Sequence, residues 1–129
     1  MIEDTQIAFD AEEVCRWYDN DLEAIQELVD LVQNDLPRYV RALEDAADAG
    51  DLQTVGRFAH TIKGAVSNVC ALRLCGVTEA LEMGARGGDV SRVAALRPEF
   101  RANVTALLTE LDQWVSTQRP SAVRDGYRG

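Results

Sequence analysis

The feature that most constrains this chain is one apolar stripe running from Leu22 to Ala47. Leu22, Ile25, Leu28, Val29, Val32, Leu36, Tyr39, Val40, Leu43 and Ala47 recur every three to four residues. That period belongs to the face of an amphipathic α-helix, which must bury the stripe to be stable. Pro37 falls inside it and predicts a kink or a restart, because proline removes a backbone donor and crowds the preceding turn.

The remaining punctuation is helical too, and strand signals are nearly absent. Asp10 followed by Glu13 has the form of a capping box and predicts a short helix through Val14, Trp17 and Tyr18. Gly50-Asp51 reads as a stop and a new N-cap, opening a helix from about Leu52 to Val69. A further helix runs through Leu74, Val77, Leu81 and Ala85, and Gly87-Gly88-Asp89 repeats the stop-and-cap signal. The last stretch carries Val93, Leu96, Phe100, Val104, Leu107, Leu111 and Trp114, with Pro98 as a candidate break. The predicted fold is all-α: an antiparallel four-helix bundle with an additional short N-terminal helix. Residues 1–8 read as an N-terminal extension, 9–118 as the domain, and 119–129 as a disordered tail of small and polar residues. At 129 residues and 47% hydrophobic, the chain suffices for one core and is too short for two.

Several function classes fall away on composition. No run approaches the roughly 18 apolar residues of a membrane span, and the acidic N-terminus does not resemble a signal peptide, so a cytoplasmic protein without membrane partners is expected. Cys15, Cys70 and Cys75 are odd in number and lack zinc-site spacing; they read as reduced thiols, with no metal site implied. The net charge is −9, which argues against nucleic-acid binding. It is unevenly spread. Residues 1–51 hold fifteen acids against three arginines, whereas residues 52–78 contain no acid and carry Arg57, Lys63 and Arg73. An acid-free island of that kind suits a phosphoryl group or an acidic partner surface.

The island surrounds the only histidine and the only lysine of the chain, His60 and Lys63, among twelve arginines. A lone lysine one turn from a lone histidine suggests a site that needs a compact ammonium rather than a forked guanidinium. On a helical wheel with His60 at 0°, Gly56, Lys63, Gly64 and Ser67 all lie within about 60° of it. Val55, Phe58, Ile62, Ala65, Val66 and Val69 occupy the arc from about 140° to 240°. His60 is therefore expected to be exposed, opposite the core. Gly56 and Gly64 each cost about 1 kcal/mol against alanine in a helix. They give clearance for another molecule to reach the imidazole, or else let a neighbouring helix approach.

Neutral imidazole is nucleophilic near pH 7 without a base, and a nearby ammonium can neutralise charge on a transferring phosphoryl group. The chain has no Gly-rich phosphate loop, no second histidine for a metal and no nucleophile elbow. It looks like half an active site, with the donor on another molecule.

The stretch Ala59-His60-Thr61-Ile62-Lys63-Gly64-Ala65-Val66-Ser67-Asn68-Val69 resembles the signature of histidine-containing phosphotransfer (HPt) domains, typically Ala-His-x-Leu-Lys-Gly-Ser/Ala. The likeness continues through Leu72, Leu74, Cys75, Leu81 and Glu82 to Arg86-Gly87-Gly88-Asp89, and covers about residues 9–118. It implies a phosphocarrier rather than an enzyme. His60 would be phosphorylated, Lys63 would stabilise the phosphoryl charge, and Gly64 would give access. Gly56, Ser67 and Asn68 are expected at the partner surface, the last two hydrogen-bonding near the phosphoryl group or the partner. The implied partners are the receiver domain of a hybrid histidine kinase as donor and a response-regulator receiver domain as acceptor. The chain would need no cofactor of its own, the receiver bringing Mg²⁺, and a bundle of this size is expected to be monomeric. Cys70 stands where the family commonly has glycine, which predicts a differently shaped turn. Two rival readings are a helical interaction module that regulates a signalling partner by binding, with His60 incidental, and an enzyme using His60 as general acid or base.

Overall fold

The computed structural model describes residues 8–118, and among them the chain is entirely helical. α1 spans Ala11–Trp17, α2 Leu22–Asp48, α3 Leu52–Ser67, α4 Leu72–Arg86 and α5 Val90–Gln118. Aspartates start four of them. The carboxylates of Asp10, Asp21, Asp51 and Asp89 accept from the backbone N–H three residues on, at 3.0–3.2 Å, and so satisfy a donor that the helix cannot. Only the Asp10 half of the expected capping box forms. The Glu13 side chain turns outward, pairing with Arg16 and accepting from the Trp17 indole.

Neither proline interrupts its helix. α2 runs unbroken through Pro37 and α5 through Pro98, so the restart and the break do not occur. Each proline forfeits one backbone bond, and burial of the surrounding turns (Leu36 in α2, Leu96 and Phe100 in α5) outweighs the loss.

Short turns make consecutive helices antiparallel neighbours. α3 packs between α2 and α4, α5 packs on α4 and returns to α2, and the short α1 leans on α2. The shared core contains Leu36, Leu43, Ile62, Leu81, Phe100 and Leu107, all buried. Arg97 reaches from α5 to Glu44 and Asp48 of α2, and Arg101 joins Glu44 at 2.9 Å. The chain leading into α1 is tied to α5: the N–H groups of Ala8 and Phe9 donate to the Glu110 carboxylate at 3.1 and 2.9 Å, and Phe9 packs edge-on against Trp114.

The turn at Cys70 keeps the shape of the glycine turns. Cys70 adopts φ +52°, its N–H donates to Ser67 O, and Ala71 N–H donates to Val66 O. Gly50 and Gly88 make the same pair of bonds at the ends of α2 and α4. A differently shaped turn is therefore not what the substitution produces. Instead a buried cysteine takes a left-handed conformation that costs a side-chain-bearing residue about 1–2 kcal/mol. No helix among the described residues is long and apolar enough to cross a membrane. The tail at 119–129 and residues 1–7 of the N-terminal extension lie outside the described residues.

Candidate functional site

α3 buries Val55, Gly56, Ala59, Ile62 and Val66. This set is centred about 60° round the helix from the arc that the apolar residues alone suggest. Ala59 and Gly56 rather than Phe58 and Ala65 fill the seam, because small residues let α4 come close. His60 consequently sits on the shoulder of the buried face, about 110° from its centre, and not diametrically opposite it. Its side chain is still 66% exposed. Lys63, nearer the seam, is 31% exposed.

From α4 the Glu82 carboxylate reaches both. Its Oε2 lies 3.1 Å from His60 Nδ1 and its Oε1 lies 3.3 Å from Lys63 Nζ. Arg86, one turn further along α4, donates to Oε2 through Nε at 3.0 Å, and its Nη2 lies 2.9 Å from the same oxygen as an ion pair. Only 10% of the Glu82 side chain is exposed. Burial pushes its carboxyl upward, but hydrogen bonds from Arg86 and Lys63, the Lys63 charge and the bond to His60 outweigh it, so the group is held below the usual carboxylate range.

An ionised carboxylate only accepts. His60 Nδ1 must then carry the hydrogen, which leaves the lone pair on Nε2 across the ring. The arrangement thus presents an exposed imidazole whose tautomer is fixed from behind by a buried anion. Lys63 and Arg86 balance that anion.

The structure sorts the other residues singled out in the sequence. Gly64 is exposed, and a Cβ added there would meet nothing within 4 Å. Gly56 is buried beneath α4, where an added Cβ would touch Arg86 Cγ at 3.6 Å and Ala85 Cβ at 3.7 Å. It belongs to the helix seam, not to an open clearing beside His60 or to a free partner surface, and this corrects its expected place. Ser67 and Asn68 are exposed, but seven and eight residues along α3 put them at least about 10 Å from His60. The Ser67 hydroxyl donates to Gly64 O at 2.8 Å.

Glu82 and Arg86 are the residues that sequence reasoning missed as members of the site. The acid-free segment 52–78 does not produce an acid-free surface, since α4 supplies a carboxylate from outside it. The signal was present. Glu82 lies one turn from Thr78 and Ala85 on the buried side of its helix, and a carboxylate there needs partners.

A sequence profile of the Hpt domain matches residues 27–117. In structure the chain is similar to the crystal structure of histidine-containing phosphotransfer protein B (HptB) from Pseudomonas aeruginosa PAO1, at 27% identity and a TM-score of 0.75. That similarity covers 82% of this chain and 92% of the other. No curated protein matches the chain in sequence.

Proposed function

The chain belongs to the Hpt domain family, and from that premise we propose that it carries a phosphoryl group on His60 Nε2 between two receiver-domain aspartates. A general histidine phosphotransfer role, with receiver domains as partners, follows from the family. The atoms and the sequence of steps are our reading of the geometry.

In the accepting step the Nε2 lone pair attacks phosphorus in line with the acyl phosphate oxygen. An N–P bond forms, the P–O bond breaks, and the receiver's aspartate leaves as a carboxylate. No proton has to move, because Nδ1 keeps its hydrogen. The ring gains positive charge, which the Glu82 carboxylate stabilises across the Nδ1 hydrogen bond. Lys63, now 3.3 Å from Glu82, lies one turn from His60 and can turn its ammonium towards the phosphoryl oxygens, with Arg86 left to balance Glu82. The open space at Gly64 admits the receiver's loops. Mg²⁺ comes with the receiver. In the donating step the second receiver's aspartate attacks phosphorus, and His60 leaves with the lone pair restored to Nε2.

The observation that carries this reading is the exposed imidazole fixed at Nδ1 by a buried, charge-balanced carboxylate. An incidental surface histidine has no such support. Incubation with a phosphorylated receiver domain should label the chain with an acid-labile, base-stable phosphoryl group, and His60→Gln should abolish it. Label that survives the substitution would refute the assignment.

A further inference from the structure

The acid-free stretch around His60 has a counterpart of opposite sign on α2. Residues 17–37 hold six acids and neither lysine nor arginine. Glu23, Glu27 and Asp30 of this stretch are exposed, and none of them joins an ion pair among the described residues. With Leu22 at 0°, Gln26, Asp30, Glu23 and Glu27 fall between about 40° and 140° round the helix. Glu23 and Glu27 stand four residues apart, a like-charge spacing that weakens a helix until a cation comes between them.

Leu22, Glu23, Gln26 and Glu27 form one wall of a groove of about 410 Å³, and Trp114 and Gln118 of α5 form the other. Leu22, 49% exposed, and the half-buried Trp114 give it apolar surface, while the two glutamates give it negative charge. Gln118 is also the residue at which α5 ends. The eleven residues that follow, 119–129, carry Arg119, Arg124 and Arg128 against the single acid Asp125. They also hold two large apolar side chains, Val123 and Tyr127.

We propose that residues 119–129 fold back into this groove as a strap, Val123 and Tyr127 against Leu22 and Trp114, the arginines against Glu23, Glu27 and Asp30. Pro120 disfavours helix at Arg119, so the chain leaves the α5 axis where the groove begins. In extended backbone Val123 and Tyr127 point to one side and Arg124 and Arg128 to the other, so apolar and ionic contacts form together. Eleven extended residues reach up to about 36 Å, whereas Leu22 to Asp30 spans about 12 Å. So short a tether holds the arginines at an effective concentration of about millimolar, ahead of basic segments of other proteins. A second copy of the acidic wall would bring like charge instead. The groove belongs to α2 and α5 rather than to the α3–α4 seam of His60, so the inference is independent of the phosphotransfer reading. It stands in place of the disordered tail expected from composition.

Backbone ¹⁵N relaxation of the full chain at low salt tests the strap. Val123 to Arg128 should have order parameters near the rigid value of about 0.85, and about 1 M salt, with its Debye length of about 3 Å, should bring them below about 0.6. Arg124→Glu with Arg128→Glu should release the segment at low salt and shift the Trp114 indole signal. Glu23→Lys with Glu27→Lys should do the same, while circular dichroism still reports a folded bundle. All four substitutions together should restore order, because the charges are exchanged rather than lost. Order parameters below about 0.6 in the unmodified chain at low salt overturn the proposal, including the case in which an added arginine-rich peptide shifts the groove signals. So does an ordered segment that neither pair of charge reversals releases, or a fourfold variant that stays released.

Discussion

Two seams of the bundle are built from the same parts and serve different ends. Between α2 and α5, Glu44 receives Arg97 and Arg101 while Asp48 also receives Arg97. Between α3 and α4, Glu82 receives Lys63 and Arg86 in the same fashion. The cations of the first seam are permanent, since arginine does not deprotonate in proteins and has no lone pair to offer. The second adds His60, which rests one nitrogen on the carboxylate and exposes the rest of its ring. A carboxylate shared among cations is thus a clamp in both places. Only the one that anchors an exposed nucleophile is also a site.

The sharpest way to break that contrast is to remove the nucleophile. His60→Gln should reduce phosphoryl uptake to background with little change in melting temperature, a combination the α2–α5 seam cannot produce. Next comes its anchor. Glu82→Ala removes a charge-assisted hydrogen bond of about 1.5–3 kcal/mol, so uptake in a single-turnover assay should fall about ten- to hundredfold. Arg97→Ala should do the opposite. Denaturant titration should show about 1–3 kcal/mol less stability, because Glu44 is partly buried and keeps only Arg101, and phosphoryl uptake should not change.

Acid sharpens the comparison further. The Glu82 carboxyl titrates lower in the folded chain than its ordinary value of 4.5, so the unfolded chain binds that proton more readily and stability rises with pH. The contribution is complete above about 4.5 and fades as pH falls through the lower folded value. Glu82→Gln should flatten this limb of an acid titration followed by circular dichroism; an unchanged limb would assign it to other carboxylates. The smallest effect belongs to the α3–α4 turn. Cys70→Gly relieves left-handed strain and gives up a buried side chain, and the net should stay within about 1 kcal/mol by the same denaturant measurement.

The contrast also explains what was legible in the sequence. Helix starts could be read because an aspartate side chain and a glycine backbone act locally: Asp10, Asp51 and Asp89 cap within three residues. The exposure of His60 could be read from its own helix. Glu82 could not be placed beside it, because that contact spans 22 residues and depends on which face of α4 meets α3. The same gap misplaced Gly56, whose neighbours are Ala85 and Arg86, and set the apolar face of α3 about 60° off. Pro37 and Pro98 misled in the other direction. Their local cost is real, yet helix packing elsewhere along α2 and α5 overrides it.

The central claim is that Glu82 holds Nδ1 and leaves Nε2 to react. Three-bond and one-bond ³¹P–¹⁵N couplings in the phosphorylated, ¹⁵N-labelled chain distinguish the two ring nitrogens directly. Phosphorus should be bonded to Nε2 of His60, with Nδ1 still protonated and shifted by its carboxylate partner. Phosphorus on Nδ1, or on any residue other than His60, would contradict it.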